Sequence, residues 1–119
     1  MRVCPRQFAL HSVLKPGTAA DYEREHQRIP DDLVATFARV GIRGWTIWRS
    51  GEQLFHLVDC DDFAAAMDAL ADDPANQRWQ AHIGTVVDRF LPDGPPTPLP
   101  EVWDLARQVV EDGRHDDQP

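Results

Sequence analysis

The sequence predicts one α+β domain of the ferredoxin-like type, with its elements in the order β-α-β-β-α-β. Three observations carry this. Residues 7–14 place Phe8, Leu10, Val13 and Leu14 as the apolar positions of a strand. Residues 45–49 and 53–59 are two short strand-like runs joined at Gly51, which reads as a hairpin. Stretches with helical character follow the first strand and the hairpin.

The elements follow in order. Lys15-Pro16-Gly17 is a turn. Thr18 is placed to cap a helix that runs from Ala19 toward His26 and breaks at Pro30. Asp31 can cap a second helix, whose Leu33, Val34, Phe37 and Val40 repeat at helical spacing and which Gly41 closes. After the hairpin, Asp61 or Asp62 caps a helix of small residues over 63–71. Asp72-Asp73-Pro74 breaks it, and a further helix is expected over 75–89. Residues 91–100 hold five prolines and a glycine and form an arm or linker. The last strand is expected at 101–105. The domain is expected to span 1–111, followed by a disordered polar tail over 112–119. So small a sheet, with helices on one face only, needs cover for the other. A second copy of the chain is the economical cover, so a homodimer is expected.

Composition bounds the partners. With 119 residues the chain is one domain, and its net charge of −8 argues against nucleic acid and against an anionic membrane surface. No apolar run approaches the ~20 residues of a membrane span. Cys4 and Cys60 show no metal spacing and fit reduced thiols, so a soluble, cytoplasmic protein is expected.

The chemistry concentrates at Tyr22 and His26. Four residues apart on a helix, they share one face. A phenol beside an imidazole can act as an acid–base pair, because His titrates near neutral pH and Tyr can donate or relay a proton. On spacing alone a solvated helix face with an incidental His is the commoner outcome. Trp45 and Trp48 must point to opposite faces of their strand, so at least one is core or interface. Trp79 is either core or a ligand wall, and Trp103 reads as packing or interface rather than ligand. His11 and His56 lie on strands, where a core or interface role competes with lining a cavity. His82 is a weaker site candidate, Arg78 reads as a surface charge, and His115 falls in the tail. Asp59, Asp61 and Asp62 read as capping and lack calcium-loop spacing. No metal or cofactor is expected.

Several pieces of the chain lie in the register of a known family. They are the strand with Lys15-Pro16 and Tyr22-Glu23-Arg24-Glu25-His26, the helix start at Pro30, and Gly41-Ile42-Arg43-Gly44-Trp45-Thr46-Ile47-Trp48. Leu54-Phe55 to Asp62-Phe63, Asn76-Gln77-Arg78-Trp79-Gln80 and Leu99-Pro100-Glu101-Val102-Trp103-Asp104-Leu105 follow. Over about residues 8–105 the chain resembles the L-rhamnose mutarotases, small dimeric α+β barrel proteins. The resemblance implies an isomerase that interconverts the α and β anomers of a free sugar without a cofactor. L-rhamnose or a related 6-deoxy sugar is the implied substrate. It makes His26 the proton donor, sets Tyr22 beside the sugar, and gives Trp45, Trp79 and Gln80 substrate contacts. The chain departs from the family pattern in two places. His26-Gln27-Arg28-Ile29-Pro30 is one residue shorter and lacks the family's Trp before the Pro, and Gly44-Trp45 replaces a strand Asn-Tyr. These departures leave open a non-catalytic sugar-binding or regulatory module on the same scaffold. A monooxygenase on this architecture rests on fold analogy alone.

Overall fold

The structure, a computed structural model, describes residues 6–116, with side chains through residue 112. Its elements are β1 (Gln7–Leu14), α1 (Ala19–Glu25), α2 (Asp31–Arg39), β2 (Ile42–Ser50), β3 (Gln53–Cys60), α3 (Phe63–Ala71), α4 (Pro74–Ile83), β4 (Val87–Leu91) and α5 (Leu105–Asp116). The four strands form one antiparallel sheet in the order β2-β3-β1-β4, the ferredoxin-like arrangement. No helix among the described residues is long and apolar enough to cross a membrane.

Alternation divides the sheet into two faces. Leu10, Ser12 and Leu14 of β1 and Leu54, His56, Val58 and Cys60 of β3 are buried toward the helices. The register between β2 and β3 shifts between Ile42 and Gly44, so Ile42 and Trp45 face the helices together although they are three residues apart. Trp48 pairs with Phe55 on the opposite face, where both are exposed and His11 stacks on Phe55 at 4.8 Å. The expected division between Trp45 and Trp48 therefore holds.

Local chemistry accounts for the helix ends. Gly41 takes φ +90°, the left-handed conformation that glycine adopts at low cost just after a helix. Asp62 caps α3 by accepting from the Ala65 N–H, and Asp73 caps α4 by accepting from the Asn76 N–H, with Pro74 at the first helical position. Asp73 also accepts from Thr36 and Arg39, which ties α4 to α2. Thr18 occupies the position before α1 without capping it. Its hydroxyl donates instead to the Lys15 and Val86 carbonyls. Pro30, not Asp31, is the residue that precedes α2.

The C-terminal third differs from expectation. The helix expected over 75–89 ends at Ile83, and the fourth strand is Val87–Leu91 rather than residues 101–105. Gly84 weakens the helix, and the β-branched Thr85, Val86 and Val87 favour extension against the free edge of β1. Residues 101–104 meet no sheet edge. Asp104 accepts from the Arg107 N–H and so starts a helix at Leu105. That helix covers residues 112–116, the first part of the expected tail. Residues 117–119, Cys4 and the side chain of His115 lie outside the described set.

Candidate functional site

A cleft of about 1460 Å³ lies between the sheet and the helices and opens to solvent. Its lining draws Tyr22 and His26 from the end of α1, Trp79 and Gln80 from α4, Trp45 from β2, His56 from β3 and Ser12 from β1. The five residues that the resemblance assigns to the site, Tyr22, His26, Trp45, Trp79 and Gln80, therefore border one space, whereas the weaker candidate His82 does not. His56, for which the sequence left cavity lining and a core role both open, borders it, and so does Ser12, which no sequence-based expectation named.

His26 sits at the C-terminal cap of α1, and Tyr22 one turn earlier is buried among Leu14, Leu54, Ile83 and Val86. The two rings stack with centroids 4.0 Å apart, and Trp79 meets the imidazole edge-on at 5.2 Å. The contact between Tyr22 and His26 follows from the i, i+4 spacing. The contact with Trp79 needs the packing of α4 beside α1. His26 Nδ1 donates to the Tyr22 carbonyl at 3.1 Å, which fixes the tautomer and leaves Nε2 as the acceptor nitrogen, without a partner among the described residues. Burial lowers the His26 pKa from its ordinary 6.5, while the Tyr22 carbonyl and the Glu25 charge pull it back up. Burial pushes the Tyr22 phenol up to about 12. Near neutral pH Tyr22 is therefore a protonated, hydrogen-bonding phenol.

The opposite wall is also ordered by hydrogen bonds. The Trp45 indole N–H donates to His56 Nδ1 at 3.1 Å, and His56 Nε2 lies 2.8 Å from Ser12 Oγ. Because Nδ1 is an acceptor, a neutral His56 carries its proton on Nε2 and donates it to Ser12. Burial, helped by His26 and His11, pushes His56 down to about 4, so the ring is neutral near pH 7. Phe90 packs against His56 at 5.6 Å and Phe37 against Trp45 at 5.6 Å.

The remaining candidates lie elsewhere. Gln80 is exposed at the rim, with its amide 3.4 Å from Asn76 Oδ1. His11 bonds Gln53 on the far face of the sheet. His82 bonds Glu25 at 2.5 Å, one residue from His26, without lining the cleft. Arg78 pairs with Asp32 on the surface, as a surface charge does. Trp103 is 63% exposed and donates to Gln108 beyond the cleft. Among the described residues, no group of three or more His, Cys, Asp and Glu side chains could hold a metal ion.

A signal for the second wall is present in the sequence. Ser12 interrupts the apolar series Leu10–Leu14 on β1, and His56 interrupts Leu54–Val58 on β3. That these polar interruptions on neighbouring strands meet emerges only from the register, which sets Leu10 opposite His56 and Ser12 opposite Leu54 and so makes Ser12 and His56 diagonal neighbours.

The model of the L-rhamnose mutarotase family matches residues 7–109. An L-rhamnose mutarotase of Verminephrobacter eiseniae is 35% identical over 98 residues, covering 79% of this chain and 91% of that protein. One of Acidiphilium cryptum is 34% identical over 108 residues, covering 83% and 97%. Among solved structures, an L-rhamnose mutarotase of Formosa agariphila superposes with a TM-score of 0.68 at 19% identity, over 84% of this chain and 98% of that one. The tetracenomycin F2 cyclase of Streptomyces glaucescens superposes at 0.57 and 17% identity, over 83% and 97%. At such identities the two structures speak for the fold alone, and they show how different the chemistries on it can be.

Proposed function

The chain belongs to the L-rhamnose mutarotase family, and from that premise we propose that it is an isomerase interconverting the α and β anomers of a free sugar. L-rhamnose or a related 6-deoxy sugar is the substrate this reading favours. The observation that carries it is the stacked Tyr22–His26 pair, with one imidazole nitrogen anchored to backbone and the other left for chemistry.

Ring opening breaks the bond between C1 and the ring oxygen. One proton must reach the ring oxygen and one must leave the anomeric hydroxyl, which gives the open-chain aldehyde. Rotation about C1–C2 and reclosure on the other face give the second anomer. His26 Nε2 is the proton carrier. Burial makes its imidazolium a stronger acid toward the ring oxygen, while water in the open cleft takes the proton of the anomeric hydroxyl; on reclosure the neutral imidazole takes the proton of the ring-closing hydroxyl and water returns one to O1. The Tyr22 phenol donates to a sugar oxygen. Trp79 and Trp45 offer carbon surface for the apolar face of a pyranose, and Gln80 supplies an amide at the rim. The step calls for no cofactor.

The test is anomeric exchange by saturation-transfer NMR across rhamnose, fucose, galactose, mannose, ribose and glucose. Exchange above the buffer blank for a 6-deoxy sugar is expected. Exchange at the blank for all six, with binding of any, would instead support a sugar-binding module.

The same reading includes a homodimer closed over the outer face of the sheet. Trp48 (54% exposed) and Phe55 (40%) support it, as do Val102, Trp103, Val109 and Val110 on the arm and α5, all left exposed by the described residues. Light scattering should give about twice 13.5 kDa. Cytoplasmic residence completes the reading, supported by Cys60, a buried free thiol.

A further inference from the structure

The cleft holds two imidazoles, and the proposed reaction uses only one. His56 is 6% exposed, and both its nitrogens are engaged within the fold. A histidine so tied has no free nitrogen with which to exchange a proton with a sugar. It does control what Trp45 presents. An indole has a single polar atom, its N–H, and here that N–H points at His56 Nδ1. Trp45 therefore turns a carbon surface to the cleft. His56 is held in turn by Ser12, which is 1% exposed, and by the Phe90 ring. The three residues come from β2, β3 and β1, so the sheet itself carries the arrangement.

We infer that His56 is a positioning residue for sugar binding: anchored by Ser12, it holds the Trp45 indole so that Trp45 forms a fixed apolar wall of the substrate site. This rests on the mutarotase reading, since the sugar is the ligand that the wall would select. A wall of this kind favours a sugar whose facing side is C–H rather than hydroxyl. A released indole would turn and offer its N–H to the cleft. The neutrality of His56 near pH 7 supports the arrangement, because a protonated Nδ1 could not accept from Trp45.

The experiment compares His56→Phe, which keeps an aromatic ring but offers Trp45 no acceptor, with His56→Gln, whose amide can accept from Trp45 and donate to Ser12. In His56→Phe the KM for the exchanged sugar should rise about tenfold, the value of one neutral hydrogen bond. The kcat should stay within about threefold, because the proton carrier is untouched. His56→Gln should recover most of the loss. The Trp45 indole N–H resonance, assigned by its disappearance in Trp45→Phe, should shift in His56→Phe and return toward its wild-type position in His56→Gln. In a Trp45→Phe background, His56→Phe should change KM by less than about twofold, because the two act as one unit.

An additive double variant, an unmoved indole resonance, or a fall in kcat as large as the rise in KM would overturn the inference. If His56→Phe does not fold, Ser12→Ala loosens the same ring and should raise KM in the same direction; no change there overturns it equally. A wild-type protein that binds sugar without exchanging it defeats the mutarotase reading alone, and the comparison is then read in Kd. A protein that binds none of the sugars defeats both.

Discussion

The two walls of the cleft are built from similar parts and do opposite things. On the helix wall, His26 ties Nδ1 to a backbone carbonyl and has no partner for Nε2 among the described residues, with its ring stacked on Tyr22 and edged by Trp79. On the sheet wall, His56 has Trp45 on one nitrogen and Ser12 on the other. Burial lowers the pKa of both rings, and more strongly for His56. In the proposed reaction, what separates the proton carrier from the scaffold is the count of unengaged nitrogens, not residue type or burial. The walls also differ in origin. The helix wall begins as a local i, i+4 contact, whereas the sheet wall joins residues 44 apart in the chain, Ser12 and His56.

The largest effect should come from the free nitrogen. His26→Ala should slow exchange by ~10²–10⁴-fold, the usual worth of general acid–base catalysis, and leave the melting temperature nearly unchanged. A saturation-transfer rate close to wild type in a folded His26→Ala protein would erase the distinction between the walls. A variant that unfolds would make His26 structural.

The next effect is thermodynamic and belongs to the engaged ring. The folded-state pKa of His56 is about 4, against about 6.5 for an unfolded histidine. Between those values the unfolded chain binds more protons, so the stabilising term is fully present above 6.5, declines as pH falls, and is gone below about 4. The term amounts to about 3 kcal/mol. Urea unfolding at pH 7 and pH 4.5 should show wild-type stability falling more steeply than that of His56→Phe. Equal slopes would mean that His56 is not held neutral.

How much of this was legible follows the same division. Tyr22, His26, the hairpin and α3 depend on neighbours a few residues apart, and spacing, turn residues and caps reveal those. The sheet wall depends on strand register, which alternation alone does not supply. Alternation says that His56 faces the helices only once Leu54 and Val58 are known to do so, and it does not bring Ser12 alongside. The exchange of a long final helix for β4 has a similar cause. Residues 84–89 can join either element, and the free edge of β1 decides, since pairing satisfies backbone groups that a longer helix would leave open. Asp104 has the residue type of a helix cap, and what removes the strand alternative for residues 101–105 is the occupation of the β1 edge by β4.

A smaller effect sharpens the helix wall. Tyr22→Phe removes one phenol whose pKa is pushed up to about 12, so the wild-type group is a hydrogen-bond donor and not a base. Exchange should fall by no more than about tenfold, the worth of one neutral hydrogen bond, and far less than in His26→Ala. A loss matching that of His26→Ala would mean that the phenol carries a proton in the reaction.

The smallest effect tests whether Trp79 belongs to chemistry or to binding. Its ring meets His26 edge-on at 5.2 Å and lines the cleft, so it can hold the imidazole in place and can also stack on a sugar. Trp79→Phe keeps an aromatic edge near His26 but shortens the surface available to a pyranose. The lost apolar contact, at about 25 cal/mol per Å² over some tens of Å², corresponds to a rise in KM of about threefold to tenfold. The kcat should hardly move, because Nδ1 of His26 is fixed by the Tyr22 carbonyl and not by the indole. Full progress curves starting from one pure anomer separate the two constants. A fall in kcat with KM unchanged would place Trp79 on the chemical side, as the residue that keeps the free nitrogen aimed into the cleft.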